Sequence, residues 1–288
     1  MTQAWTILNL LKWTIAYFTE KNVESPRASA EILLSHVLQI PRIQLYAQFD
    51  QPLTENELLQ YKAMIKRRIN GEPVAYITGQ QGFWTLTLEV TPAVLIPRPE
   101  TELIVETALA LFPDQAASLQ ILDLGTGSGA ISLALAKEFS HATIVAIDKS
   151  EEALSVARKN VQMYRKENQI QLLLSNWTKE LSKNLSFNLV VSNPPYIPSN
   201  EISTLQTEVR NFEPVIALDG GPAGLKDICF LLEKIPNYLK NKGFFLMEIG
   251  YNQKAAIEKF LFDMPIWENT IFIKDYAGID RIICLQKK

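Results

Sequence analysis

The sequence predicts an α/β protein: a seven-stranded, mostly parallel sheet with an antiparallel C-terminal hairpin, preceded by a small all-α domain and a joining β-hairpin. Three observations carry the prediction. Up to about residue 78, apolar residues recur at three-to-four spacing. From Leu119 onward, short apolar runs alternate with helical stretches, the rhythm of a parallel sheet. Between the two, Gly82 to Pro97 alternates with a period of two.

In order along the chain, Ile7, Leu8, Leu11, Ile15 and Phe18 mark a first amphipathic helix. Ser25 and Pro26 start the second, with a capping hydroxyl before a proline at the first helical position, and Ala30, Leu33, Leu34 and Val37 continue one face until Pro41. Thr54 and Glu57 form a capping box ahead of Leu58, Leu59, Met64 and Ile65. Four or five helices fit this domain, residues 1–78. Phe83, Leu86, Leu88, Val90, Val94 and Ile96, broken by Pro92, read as a hairpin linker over residues 79–98. Residues 99–288 form the sheet domain. Its strands are Ile121 to Leu124, Ile144 to Ile147, Gln171 to Leu174, Leu189 to Val191 and Phe244 to Ile249. Thr270 to Ile273 and Arg281 to Leu285 then pair across a short loop containing Gly278.

Composition bounds the function. Of 288 residues, 47% are hydrophobic and 20% charged, which excludes disordered, collagenous and membrane-spanning classes. Lys and Arg total 28 against 31 Asp and Glu, a net charge of −3, without the basic excess of a duplex-DNA binder. Lys66-Arg67-Arg68 is the one dense basic cluster and reads as a solvated helix end. Cys229 and Cys284 are far apart and no metal-ligand spacing occurs, so neither a disulfide framework nor a metal site is expected, and a reducing cytoplasm suits the chain. Near the start, Asn9 and Lys12 interrupt the apolar run, and no signal peptide is read. His36 and His141 read as surface or packing residues.

Asp123-Leu124-Gly125-Thr126-Gly127-Ser128-Gly129-Ala130 follows a strand and opens a helix. The glycines permit positive φ and close approach of a ligand to the backbone, and free amides at the helix start can meet a carboxylate or phosphate. Asp148, 23 residues beyond Gly125 at the end of the next strand, suits the two hydroxyls of a ribose. Gly125, Gly127 and Ala130 also satisfy the dinucleotide pattern, so a nicotinamide cofactor and S-adenosylmethionine both fit. Asp123 favours the latter if it partners an ammonium, but it reads equally as a residue that orients the loop. Trp177 reads either as a lid on an adenine ring or as core.

Ser192-Asn193-Pro194-Pro195-Tyr196 follows the fourth strand, at the sheet edge where open α/β folds bind ligands. Two prolines fix φ and give the Pro194 carbonyl a set direction. With the Asn193 side-chain oxygen beside it and the flat Tyr196 ring, the segment suits a planar N–H₂ group. Attack by such a nitrogen, whose lone pair is delocalised, requires acceptors and positioning and no strong base.

Together, Asp123 to Gly129 and Asn193 to Tyr196 resemble S-adenosylmethionine-dependent amino-methyltransferases. Further segments resemble the peptide chain release factor glutamine methyltransferases: Arg68 to Ile77, Val94 to Glu102, Phe212-Glu213-Pro214, Ala217 to Gly221, Glu248-Ile249-Gly250 and Asp275 to Arg281. The resemblance covers about residue 65 to the end with specific motifs, and the N-terminal helices by position and length only. It implies a seven-stranded Rossmann-like methyltransferase sheet. It also implies methylation of the glutamine amide in a Gly-Gly-Gln loop of bacterial class-one release factors, with the helical domain docking the factor. Carried across, Gly125, Thr126, Gly127, Ser128, Gly129, Asp148, Trp177 and Asn193 would hold S-adenosylmethionine, and Asn193, Pro194, Pro195 and Tyr196 the glutamine. Asn193, Pro194 and Tyr196 would be catalytic, with no metal, no membrane and no nucleic acid required, in a monomer. Asn176 stands where relatives often carry aspartate, and Thr85 where glycine is more usual. Arg98, Glu100 and Glu102 read equally as substrate-orienting residues or as an ion-paired lock on the linker. An adenine-amine nucleic-acid methyltransferase, a nicotinamide oxidoreductase and a non-catalytic adaptor are the competing readings. The first lacks a basic surface, and the second leaves Asn193 to Tyr196 unexplained.

Overall fold

The structure, a computed structural model, describes residues 5–288. They divide into two compact units. One takes the chain up to Gln80 together with Gln206–Phe212, and the other takes Gln81–Leu205 and Glu213–Lys288.

The helical unit begins with α1 (Ile7–Glu20), α2 (Pro26–Leu38), α3 (Arg42–Ala47), α4 (Glu55–Ile69) and α5 (Val74–Thr78). Ile7, Leu10, Leu11 and Phe18 of α1 pack with Leu33, Leu34, Tyr61 and Ile65, all buried at helical spacing. The Tyr61 hydroxyl donates to the Ala30 carbonyl at 3.0 Å and ties α4 to α2. The capping box forms as expected, with Glu57 N donating to Thr54 Oγ1 (3.3 Å) and Thr54 N to Glu57 Oε2 (2.7 Å). Ser25 does not cap α2. Its backbone is left-handed (φ 48°), and the extended conformation that aims a capping oxygen at the helix amides is lost.

The basic cluster also departs from expectation. Lys66 and Arg67 are exposed, but Arg68 is buried. It donates to Ser29 Oγ (3.2 Å), Glu24 O (3.2 Å) and Glu72 O (3.1 Å), and pairs with Glu208 (2.6 Å) of the returning segment. Periodicity marks a helix end as solvated, but Arg68 points to the inner side of α4, where one ion pair and three further hydrogen bonds together make burial tolerable.

The second unit opens with a hairpin, β1 (Gln80–Phe83) and β2 (Leu86–Glu89), and continues through α6 (Glu102–Leu111), β3 (Gln120–Leu124), α7 (Ala130–Glu138), β4 (Thr143–Asp148), α8 (Glu151–Met163), β5 (Ile170–Leu174) and β6 (Phe187–Ser192). After α9 (Thr207–Phe212), which is counted with the helical unit, come α10 (Lys226–Lys234), β7 (Leu239–Glu248), α11 (Lys254–Leu261), β8 (Trp267–Lys274) and β9 (Asp280–Lys287). The sheet has the order β5-β4-β3-β6-β7-β9-β8; β5 through β7 are parallel, and β9 and β8 antiparallel, as the sequence predicts. Ile121, Leu122 and Leu124 of β3 and Leu189 to Val191 of β6 are fully buried on both faces, which is why these strands read as unbroken apolar runs.

The hairpin is tied to α8: Thr87 N donates to Tyr164 Oη (2.8 Å), and Glu89 N to Asn160 Oδ1 (2.7 Å). Val94 and Ile96, which the alternation assigned to the hairpin, lie buried in irregular chain beyond β2. From β3 the chain steps outward through β4 to β5, then returns to β6 on the other side. The strand order thus reverses between β3 and β6 and opens a crevice at their carboxyl ends.

Candidate active site

An open cleft of about 890 Å³ lies at that reversal. The turn after β3 forms one wall. Gly125 N and Thr126 N both donate to Ile147 O (2.8 and 2.9 Å), Gly127 N to Asp148 Oδ2 (2.9 Å) and Gly129 N to Thr126 O (2.9 Å). These four amides are therefore spent inside the protein, fewer remaining for a pyrophosphate than the glycine pattern alone suggests. Gly127 has positive φ, and a Cβ there would meet nothing within 4 Å, so its backbone faces open space. A Cβ on Gly125 would sit 3.6 Å from the Trp177 ring.

Asp148 ends β4 with each oxygen accepting one amide, Gly127 N and Ser150 N (3.0 Å), which fixes the carboxylate plane and leaves lone pairs for a ligand. Trp177 lines the cleft, half-buried, its left-handed backbone (φ 54°) held by Ser175 Oγ donating to its carbonyl and its indole N–H donating to Asp227 (3.0 Å). Asn176 is exposed and does not line this cleft.

Asp123 is fully buried behind the turn. Its Oδ2 accepts from Thr126 Oγ1 (2.7 Å) and Ser132 Oγ (2.6 Å), while Oδ1 has no partner among the described residues. Of the two sequence readings, loop orientation is the one these bonds build. Burial pushes its carboxyl up to about 6, although both hydroxyls act against the rise. A raised folded-state value means that the native protein holds the proton more tightly than the unfolded chain. The stability this confers is complete below about pH 4 and is lost as pH rises through about 6, a change of about 3 kcal/mol. Urea unfolding between pH 4 and 7 is expected to show that decline in the wild type and to lose it in Asp123→Asn; parallel pH profiles would contradict it.

Across the crevice, Ser192 Oγ donates to Leu124 O (2.8 Å) and locks the carboxyl ends of β6 and β3 together. Asn193 and Pro195 line the cleft, and Pro194 is buried. Beside them sits a hydrogen-bonded group drawn from distant segments, of which Thr101 also lines the cleft. Glu248, at the end of β7 and 1% exposed, accepts from Tyr196 Oη (3.0 Å) and Thr101 Oγ1 (2.6 Å), and Thr101 Oγ1 faces Asn193 Nδ2 at 3.1 Å. Burial raises the Glu248 carboxyl, opposed by the Thr101 and Tyr196 hydroxyls and the charge of Arg281. The Glu248 charge and burial push the Tyr196 phenol far above its usual range, so it stays a donor. Gln253 donates from Nε2 to Tyr196 O (2.9 Å) and Gly224 O (3.0 Å), and Gly220 N donates to Ile197 O (2.9 Å), so two loops hold the last residue of the tetrapeptide and the one after it.

Of the residues singled out from sequence, Gly125, Thr126, Gly127, Ser128, Asp148, Trp177, Asn193 and Pro195 surround one cleft. Gly129, Pro194 and Tyr196 are not among its lining residues; they support it from behind. Arg98 pairs with the buried Glu213, whose second oxygen accepts Ile96 N (3.2 Å), and Glu102 accepts Trp84 N (2.7 Å); the ion-paired lock is the geometry built here. Sequence reasoning gave no role to Thr101, Gly224, Glu248 and Gln253. The one local signal was Glu248-Ile249-Gly250 at a strand's carboxyl end.

The PrmC N-terminal domain family matches residues 9–79, and the Methyltransferase small domain family matches residues 101–210. The release factor glutamine methyltransferase of Geobacter sulfurreducens is 40% identical over 281 residues, 98% of this chain and 96% of that protein. That of Escherichia coli K12 is 42% identical over 259 residues, 90% of this chain and 91% of that one. Among solved structures, the T. thermophilus 16S rRNA N2 G1207 methyltransferase RsmC, in complex with AdoMet and guanosine, shares the fold at 17% identity, with TM-score 0.52, 73% of this chain and 50% of that one covered. With about two-fifths of its residues shared along nearly the whole length of such relatives, the chain belongs to the release factor glutamine methyltransferases.

Proposed function

We propose that this chain transfers a methyl group from S-adenosylmethionine to the side-chain amide nitrogen of the glutamine in the Gly-Gly-Gln loop of bacterial class-one release factors. The observation that carries the reading is the pairing of the Asn193 side chain with the stiff Pro194-Pro195 backbone beside the cleft of the glycine turn.

The donor set fits the cofactor. Asp148 offers lone pairs for two ribose hydroxyls, the Trp177 face offers a surface for a purine, and Gly127 leaves room for backbone approach. Turn amides already spent on Ile147, Asp148 and Thr126 favour a cofactor without phosphate. When bound, it supplies an electrophilic methyl group on a sulfonium, which needs no metal to activate it. The residues do the rest. Asn193 Oδ1 and the Pro194 carbonyl accept the two amide hydrogens and favour a pyramidal nitrogen. The fixed proline backbone holds that nitrogen in line, and the nitrogen becomes acidic enough on methylation to release its proton to water. The reading has a monomer acting on protein in the cytoplasm, with the helical unit docking the factor and no nucleic acid required.

Labelled methyl transfer tests it. Release factor is expected to take label, a copy with the loop glutamine replaced to take none, and duplex DNA and ribosomal RNA to stay blank; label on nucleic acid alone would overturn the reading. In calorimetry, Asp148→Ala is expected to weaken cofactor binding by about 30-fold, the loss of charge-assisted hydrogen bonds. Unchanged affinity would remove Asp148 from the cofactor site.

A further inference from the structure

We propose that the buried Glu248, acting through Thr101 at the cleft wall, sets the direction of the Asn193 amide, so that its oxygen and not its NH₂ faces the cleft. The inference rests on the reading above, in which Asn193 serves as an acceptor.

An asparagine amide has two ends of nearly equal size, one accepting and one donating, and only its surroundings decide which way it points. Here the decision starts at Glu248. Its carboxyl takes two hydroxyls, Tyr196 Oη at 3.0 Å on one oxygen and Thr101 Oγ1 at 2.6 Å on the other; burial raises the group, while these two donors and the charge of Arg281 oppose the rise and favour the ionised form. A carboxylate only accepts, so both hydroxyl protons are committed to it. Thr101 Oγ1 then has lone pairs alone to offer its third neighbour, Asn193, 3.1 Å away. The end of Asn193 facing it must be NH₂, and Oδ1 is left for the substrate amide. Turning Asn193 over would set two acceptors against each other and leave a donor in the cleft.

The same logic predicts that neutralising Glu248 reverses the array. In Glu248→Gln, one arrangement satisfies every group. Tyr196 donates to the new amide oxygen, the new NH₂ donates to Thr101 Oγ1, and the Thr101 proton turns to Asn193 Oδ1. Asn193 then shows NH₂ to the cleft. The opposite arrangement strands the buried Tyr196 proton. Thr101 thus transmits whichever polarity Glu248 imposes, and both are positioning residues.

The test is a set of variants assayed for kcat, for KM of both substrates and for thermal unfolding. Glu248→Gln is expected to lower kcat by about 100-fold with the cofactor KM unchanged, because an acceptor has become a donor. Thr101→Val, which cuts the connection, is expected to cost about 10-fold through looser positioning. Thr101→Ser should stay within about 3-fold, since the hydroxyl is kept. The decisive variant is the double substitution. Without the Thr101 hydroxyl the reversed polarity cannot reach Asn193, so Glu248→Gln with Thr101→Val is expected to be more active than Glu248→Gln alone. Losses that multiply would overturn the inference, as would wild-type kcat in Glu248→Gln.

Side-chain amide spectra of Asn193 give a readout that needs no acceptor. In the wild type, one Nδ2 proton should be protected from exchange by Thr101; in Glu248→Gln, both should exchange freely. Failure of the wild type to methylate release factor would end the functional reading while these spectra still decide the orientation. Normal methylation with identical spectra in Glu248→Gln would end the inference alone.

Discussion

Replacing Asn193 by alanine is expected to lower kcat by about three orders of magnitude, with cofactor affinity within a few-fold of wild type. The size follows from what is lost. A preorganised acceptor aimed at charge that develops only during the reaction is worth about 10²–10³ in kcat, and Asn193 is held ready by Thr101 (3.1 Å) and by the strand lock at Ser192 (2.8 Å). The asymmetry follows from the proposed reading, in which the cofactor is held by the cleft wall of Gly125 to Ser128, Asp148 and Trp177, all left in place. Single-turnover transfer at saturating cofactor, with calorimetry on the same preparation, separates the two effects. Collapse of cofactor binding with chemistry intact would make Asn193 a cofactor ligand instead of a catalytic group.

Gly224→Ala is the second large effect. A Cβ at this position would lie 2.2 Å from the Tyr196 carbonyl oxygen, 2.8 Å from Gln253 Nε2 and 3.0 Å from the Tyr196 carbonyl carbon, and the residue has φ +70°. Two of these atoms are backbone, so no side-chain rotation relieves the clash. Tyr196 must move, and with it go the Gln253 bond to its carbonyl and the direction set by the two prolines. Left-handed strain adds about 1 kcal/mol to an overpacking cost of about 1–3 kcal/mol. A fall in Tm with transfer reduced by more than 10-fold, cofactor binding being retained, is the expected outcome. Wild-type turnover in this variant would show that the placement of Tyr196 does not matter to the reaction.

Both predictions concern a segment that sequence reading found, but they depend on residues to which it assigned no part. The glycine turn and Asn193 to Tyr196 were legible because their chemistry is contiguous: a strand, a turn whose backbone must be left-handed, a rigid dipeptide. Gly224, Glu248 and Gln253 contribute through contacts 29 to 57 residues away in the chain, and Thr101 across 92. No spacing rule reaches that far. Even local rules failed where the backbone took an unexpected turn. Ser25 has the right hydroxyl beside the right proline, yet its φ of 48° takes it out of capping geometry. The cap at Thr54, with an extended backbone, formed as written.

Arg68 makes the same point in energetic terms. Its place in a run of three basic residues suggests solvent, and its burial is tolerable only because Ser29, Glu24, Glu72 and Glu208 converge on it. Glu208 lies in Gln206–Phe212, a stretch that returns to the helical unit from far along the chain.

Periodicity and turn chemistry were enough to establish a helical unit, a run of alternating strands and helices with a strand hairpin at its end, a glycine turn and a stiff Asn-Pro-Pro-Tyr segment, since each is a property of residues within a few positions of one another. Which way the Asn193 amide points, which donor holds the Tyr196 carbonyl and which arginine is buried were settled only when segments remote in sequence met. A hydrogen bond takes its direction from the partners present in space, and those partners come from β7, the start of α6 and the loops before α10 and α11.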